Sequence, residues 1–137
     1  MISFFVDADP VAQPRQRHAI RNGVAINYIP KNHPIHVYKE MVALRARTAC
    51  NGILEGPVGV TLIFLMPRPQ AMIWKTKPMP RVLHDGKPDF DNLAKAIADA
   101  LNGIAWKDDA QIARCVVEKY YAAWYEPAGV HVQIESM

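Results

Sequence analysis

Nine residues, Val58 to Met66, form a nearly unbroken apolar run between Pro57 and Pro67. A run of that length, flanked by residues that cannot continue it, is the strongest signal in the chain for a central β-strand. The remaining elements are therefore read as parts of a sheet and its cover. Ile2 to Ala8 is apolar and rich in strand formers, and the proline- and arginine-containing stretch from Asp9 to His18 reads as a loop. Ala19 to Ile29 has Asn22-Gly23 at its centre, a favoured two-residue turn, which predicts two short strands. Asn32 can cap a helix whose early turn holds Pro34 and which ends near Cys50, before Asn51-Gly52. On that helix Val37, Met41 and Leu44 are expected to form the buried stripe, with Lys39, Arg45 and Arg47 on the solvated side.

Pro67 to Pro88 carries five prolines and many cations, and reads as a long loop. A second helix is expected from Asp91 to Asn102, stopped by Gly103, with Leu93, Ile97 and Leu101 facing inward. Ile112 to Tyr125 and Val130 to Glu135 resemble a closing hairpin joined across residues 126–129. Tyr120, Tyr121, Trp124 and Tyr125 are read as sheet-packing residues in preference to a base-stacking platform. The expected fold is α/β (α+β): a single small domain over residues 1–137, with a mixed sheet of about five strands and two main helices.

A chain of 137 residues is one domain with room for a real core. No stretch approaches the roughly 20 uninterrupted apolar residues of a membrane span. The start, Met1 to Asp7, lacks the basic residues and cleavage site of a signal peptide. Cys50 and Cys115 match no zinc or CxxC spacing, and two free thiols favour a reducing cytoplasm. The five histidines show no HxxxH or HxH pattern, so no histidine metal centre is expected.

The chemistry concentrates elsewhere. Lys and Arg outnumber Asp and Glu by 16 to 13, yet the segment from Lys87 to Gln111 gathers Asp89, Asp91, Asp99, Asp108 and Asp109. Clustered carboxylates repel one another, and a hard divalent cation is the usual reason to tolerate them. In an extended segment Asp89 and Asp91 would share one face at the start of the second helix, while Lys95 and Asp99 follow Asp91 at helical spacing. The competing reading makes Asp89 and Asp91 helix-capping acids, worth about 0.3–1 kcal/mol each. For Asp108 and Asp109 it makes a polar turn, and for Lys95 an ordinary i,i+4 ion pair worth about 0.2–0.5 kcal/mol. Arg15, Arg17 and Arg21 near the start, and Arg68, Lys75, Lys77, Arg81 and Lys87 in the long loop, are candidate contacts to a phosphate backbone.

Three segments in order, Lys87-Pro88-Asp89-Phe90-Asp91-Asn92-Leu93-Ala94-Lys95, then Asp99-Ala100-Leu101-Asn102-Gly103, then Trp106-Lys107-Asp108-Asp109-Ala110-Gln111-Ile112, resemble the RusA family of Holliday junction resolvases. The family's N-terminal loop pattern is only partly kept. Pro10, Arg15 and Arg17 agree with it, and Ala12 and Gln13 stand where a proline and a lysine are usual. The resemblance implies a homodimeric endonuclease that binds four-way DNA junctions and nicks two strands symmetrically, leaving 5′-phosphate and 3′-hydroxyl ends. It implies Asp89, Asp91 and Asp109 as essential carboxylates holding Mg²⁺, for which Mn²⁺ can substitute. Lys95 would be the functional lysine, Asp108 a supporting metal ligand and Asp99 structural. Arg15, Arg17, Arg68, Lys75, Lys77 and Lys87 would contact DNA. The family's frequent occurrence in bacterial prophages makes a phage-derived origin an expectation too. A nuclease acting on flaps or forks would use the same acids, and a non-catalytic branched-DNA-binding module would use them only as caps.

Overall fold

The computed structural model describes residues 1–74 and 79–137. Five strands form the main sheet: β1 (Ile2–Val6), β4 (Val58–Met66), β5 (Val82–Leu83), β6 (Ile112–Tyr121) and β7 (Gly129–Ser136). Their spatial order is β1-β7-β4-β6-β5. β4 runs parallel to β6 and antiparallel to β7, so the sheet is mixed, as expected. A separate antiparallel ribbon pairs β2 (Arg17–Arg21) with β3 (Val24–Tyr28). Its turn is Asn22-Gly23 with both φ angles positive, at 52° and 76°, the geometry that this dipeptide favours. Two helices, α1 (Ile35–Ala49) and α2 (Phe90–Ala100), complete the architecture. No described helix is long and apolar enough to cross a membrane.

β4 is central, with a neighbour on each edge. Side chains alternate between faces along a strand, and Val58, Val60, Leu62, Phe64 and Met66 all point into the main core. There they meet Ile35, Tyr38, Val42 and Ala46 of α1 and Leu93, Ala96 and Ile97 of α2, together with Leu101 at its end. Both helices thus cover the same face, and α1 also packs against β1 and α2.

Four expectations need correction. On α1, Val37, Met41 and Leu44 are exposed, and the buried stripe starts at Ile35 and runs through Tyr38, Val42 and Ala46. Adjacent helical residues differ by about 100° in direction, and this helix carries apolar residues in both stripes. Asn32 is not its cap either; the helix opens after Pro34 without a side-chain cap. β6 and β7 do not form a hairpin, because β4 lies between them and pairs with both. The connection over residues 122–128 must span two strand spacings, about 10 Å, which its length allows. Finally, Trp124 and Tyr125 lie beyond the end of β6 and are exposed, so they pack on no sheet. Tyr120 and Tyr121 do lie on β6, half-buried.

The long loop has local order. It contains a 3-10 turn (Gln70–Met72) and the two-residue β5, which pairs with Tyr120 and Tyr121. Gly129 admits no other residue without movement: a Cβ there would lie 2.3 Å from the Val6 carbonyl oxygen and 2.4 Å from the Phe5 ring.

Candidate active site

Asp89 is the residue from which α2 departs, and its backbone carbonyl accepts from Leu93 N–H at 3.2 Å. Its carboxylate makes no capping bond. It accepts instead from Lys87 Nζ at 2.8 Å. The Lys87 ammonium beside it holds the Asp89 carboxyl below its usual range, helped by the charges of Lys119 and Arg15. Three cations from three parts of the chain therefore favour the ionised form of one exposed acid. Asp91 stands in the first turn of α2, also exposed, with Oδ1 accepting from the neighbouring Asn92 N–H at 3.0 Å.

These residues line an open cleft of about 590 Å³ whose walls are Asp85, Gly86, Lys87, Asp89, Phe90, Asp91 and Lys119. Lys119 comes from β6 and donates to the Gly86 and Pro88 carbonyls, both at 2.8 Å. It thereby fastens the segment that carries Asp89 to the sheet. The N-terminal loop is fastened too, since Gln13 N–H donates to the Asn92 carbonyl at 2.9 Å. The loop so fastened carries Arg15, whose charge acts on Asp89, even though Ala12 and Gln13 depart from the usual loop pattern.

Asp108 and Asp109 follow a separate logic. Trp106 is fully buried, and its Nε1 donates to Asn102 Oδ1 at 3.0 Å, folding the chain back after α2. Gln111 then ties this return down from both ends. Its Oε1 accepts from the Lys107 and Asp108 N–H groups, and its Nε2 donates to the Leu54 and Gly56 carbonyls at 2.9 Å. Asp108 caps the resulting 3-10 turn (Asp109–Gln111), with Oδ1 accepting from Ala110 N–H at 2.8 Å. That bond, and one to Asp109, keep the Asp108 carboxyl low. Burial, the hydrogen bond to Asp108 and the charge of Asp99 push Asp109 up, and Lys95 partly offsets this. Asp109 is thus within electrostatic reach of the α2 face carrying Lys95 and Asp99.

Lys95 does not pair with Asp91. Its Nζ lies 3.3 Å from Asp99, which also draws Lys39 of α1 at 3.8 Å. Arg68 is committed to the loop itself: its guanidinium donates to the carbonyls of Ala122 at 2.7 Å, Met72 at 3.3 Å and Pro80. Arg17 lies exposed on β2, and Lys75 and Lys77 fall outside the described residues. Sequence reasoning missed Lys119, Lys39, Trp106 and Gln111 as builders of the site. The last two stand within the recognised motif, whereas a lysine in an alternating strand such as β6 carries no local signal.

As donors, Asp89, Asp91 and Asp109 fit a hard divalent cation, because all offer carboxylate oxygens. The crowding of Asp109 by Asp108 and Asp99 is a charge imbalance that a cation would relieve. Among the described residues, no three acidic, histidine or cysteine side chains are already gathered into a metal cage.

The fold is thus a mixed α+β sheet with an acid-and-lysine cleft at the start of one helix. The model of the endodeoxyribonuclease RusA family matches residues 7–135, and the chain belongs to that family. Membership implies Holliday junction resolvase activity. The chain is also 34% identical over 128 residues to the uncharacterized protein YqaN of Bacillus subtilis (strain 168), covering 88% of each chain.

Proposed function

We propose that this protein is a structure-selective DNA endonuclease that resolves Holliday junctions by paired symmetric nicks, leaving 5′-phosphate and 3′-hydroxyl ends, in recombination and repair. The observation that carries this reading is the cleft itself. In a chain of the RusA family, the Asp89 and Asp91 carboxylates stand exposed there, and Lys87, Lys119 and Arg15 act on Asp89.

Nucleases of the family generally depend on a divalent metal. Asp89, Asp91 and Asp109 are the residues that would hold Mg²⁺, or Mn²⁺ in its place. The chemistry supplied by such an ion is activation of a water and neutralisation of charge at the phosphorane-like transition state. The chain's own residues do the rest. Lys87, with its side chain 86% exposed, can exchange Asp89 for a backbone phosphate on binding. Lys95, on the outer face of α2, provides positive charge beside Asp109 and stabilises the developing negative charge. Arg15 and Arg17 lead from the cleft along the N-terminal loop into the β2–β3 ribbon as contacts to the phosphate backbone. Asp108 acts as a positioning residue through its cap, and Arg68 as the clamp of the long loop.

The test is cleavage of a synthetic four-way junction with Mg²⁺, alongside a fork, a flap and linear duplex. Asp89→Asn and Asp91→Asn should each abolish nicking while junction affinity stays within a few-fold, since neither removes a cation. Nicking at the wild-type rate by either variant would refute the assignment.

A further inference from the structure

Val37, Met41 and Leu44 are 62%, 39% and 63% exposed on α1, at the spacing that sets side chains one above another along a helix. The core takes up Ile35, Val42 and Ala46 on the opposite side, so α1 is apolar on two faces and packing within the chain accounts for only one. Thr48 continues the outer stripe, and its hydroxyl donates to the Leu44 carbonyl at 3.3 Å, so the helix itself satisfies it. Glu40 and Arg47 flank the stripe on one side, two turns apart, and Arg45 flanks it on the other. All three are exposed, and among the described residues none of them forms an ion pair. Lys39, by contrast, is turned toward Asp99 of α2.

Stripe and flanks together fit a second copy of the same helix. Laid antiparallel, with Met41 of each copy against Leu44 of the other, Glu40 comes within about 3 Å of level with Arg47 of the second copy, and the pairing occurs twice. Laid parallel, Glu40 would meet Arg45 of the second copy. In either direction the carboxylate finds a cation, and the antiparallel one also sets the two helix dipoles against each other favourably. A polyanion fits poorly, because Glu40 and three apolar side chains stand in its path. The sheet face that no helix covers offers no such match. There Arg114 pairs with Glu135, and Tyr120 donates to Glu118 at 3.2 Å, so its charges are already spent.

We propose that two copies of this chain pair through α1, antiparallel, with their Val37, Met41 and Leu44 stripes packed together and Glu40 of each copy paired with Arg47 of the other. The seam lies opposite the core side of the helix, so pairing adds to the fold without rearranging it. The interface is independent of the nuclease reading, since mass in solution is measured without DNA and bears in no way on whether Asp89 and Asp91 serve cleavage.

The experiment is light scattering of the full chain over a dilution series. The parent protein should give twice the chain mass at the concentrated end and fall toward the single mass on dilution. Val37→Glu combined with Leu44→Glu should give the single mass throughout, with an unchanged circular dichroism spectrum, because neither side chain is in the core. Glu40→Arg and Arg47→Glu should each weaken the dimer on the order of 10-fold by setting like charges together, and the two combined should restore it. Val116→Glu, on the open sheet face, should leave the mass as it was. A parent protein of single mass at every concentration would overturn the proposal. So would a double mass kept by the Val37 and Leu44 variant, or one lost with Val116→Glu. Rescue of Glu40→Arg by Arg45→Glu in place of Arg47→Glu would overturn the antiparallel pairing.

Discussion

Two aspartates that look alike in the sequence do different work. Asp89 opens a helix yet leaves its carboxylate to Lys87, while Asp108 opens a 3-10 turn and caps it. The difference matters most for Asp109, whose carboxyl is pushed up by burial and by its bond to Asp108. Folded Asp109 holds its proton more tightly than the unfolded chain does. Its linked contribution to stability is therefore full below the ordinary aspartate value, about 3.9, and is lost as pH rises through the higher folded value. For nicking the sign is opposite, because only the ionised form can serve a cation. The acid limb of the pH–rate profile should lie above the ordinary carboxylate range. Asp108→Asn keeps an oxygen for Ala110 N–H but removes a charge, so it should move that limb to lower pH. A limb that stays in place would show that Asp109 is not the ionisation that controls the rate. The pairing of acids was legible from residue types alone. Which of them caps and which stands free depended on how the backbone turned.

At the scale of elements, the return from α2 decides where Asp109 sits. Trp106 is buried completely, so Trp106→Ala should cost about 3–5 kcal/mol in denaturant unfolding. Gln111→Ala should cost less, about 1–3 kcal/mol, since the groups it satisfies lie nearer solvent. It should lower nicking more than stability, because the turn bearing Asp109 loses four anchoring bonds. Equal small losses in both measurements would make Gln111 a stability residue only. In the sheet, Gly129→Ala should destabilise by about 1–3 kcal/mol, because backbone and the Phe5 ring occupy the space of the new Cβ. The element types could be read from the sequence because each rests on local periodicity. Their packing could not. α1 offers two apolar stripes, and only contact with β1 and α2 selects the one containing Tyr38 and Val42. Likewise, β6 and β7 carry strand signals that say nothing about β4 entering between them.

For the whole molecule, the acidic cleft occurs once per chain of 15.4 kDa. Paired nicks across a near-two-fold junction need two such clefts, so light scattering at micromolar concentration should give twice the chain mass. A monomeric mass on junction DNA, together with paired nicks, would count against the homodimer. What the sequence by itself determined was local: the central strand, the two helices, and the ordered acidic motif that marks the family. Each is written in neighbouring residues and survives without knowledge of the rest. Only the tertiary structure decided that Lys119 and Arg15 come to Asp89, that Arg68 serves its own loop, and that Trp124 and Tyr125 face water. Those outcomes join residues far apart in the chain, and they follow from which surfaces bury one another.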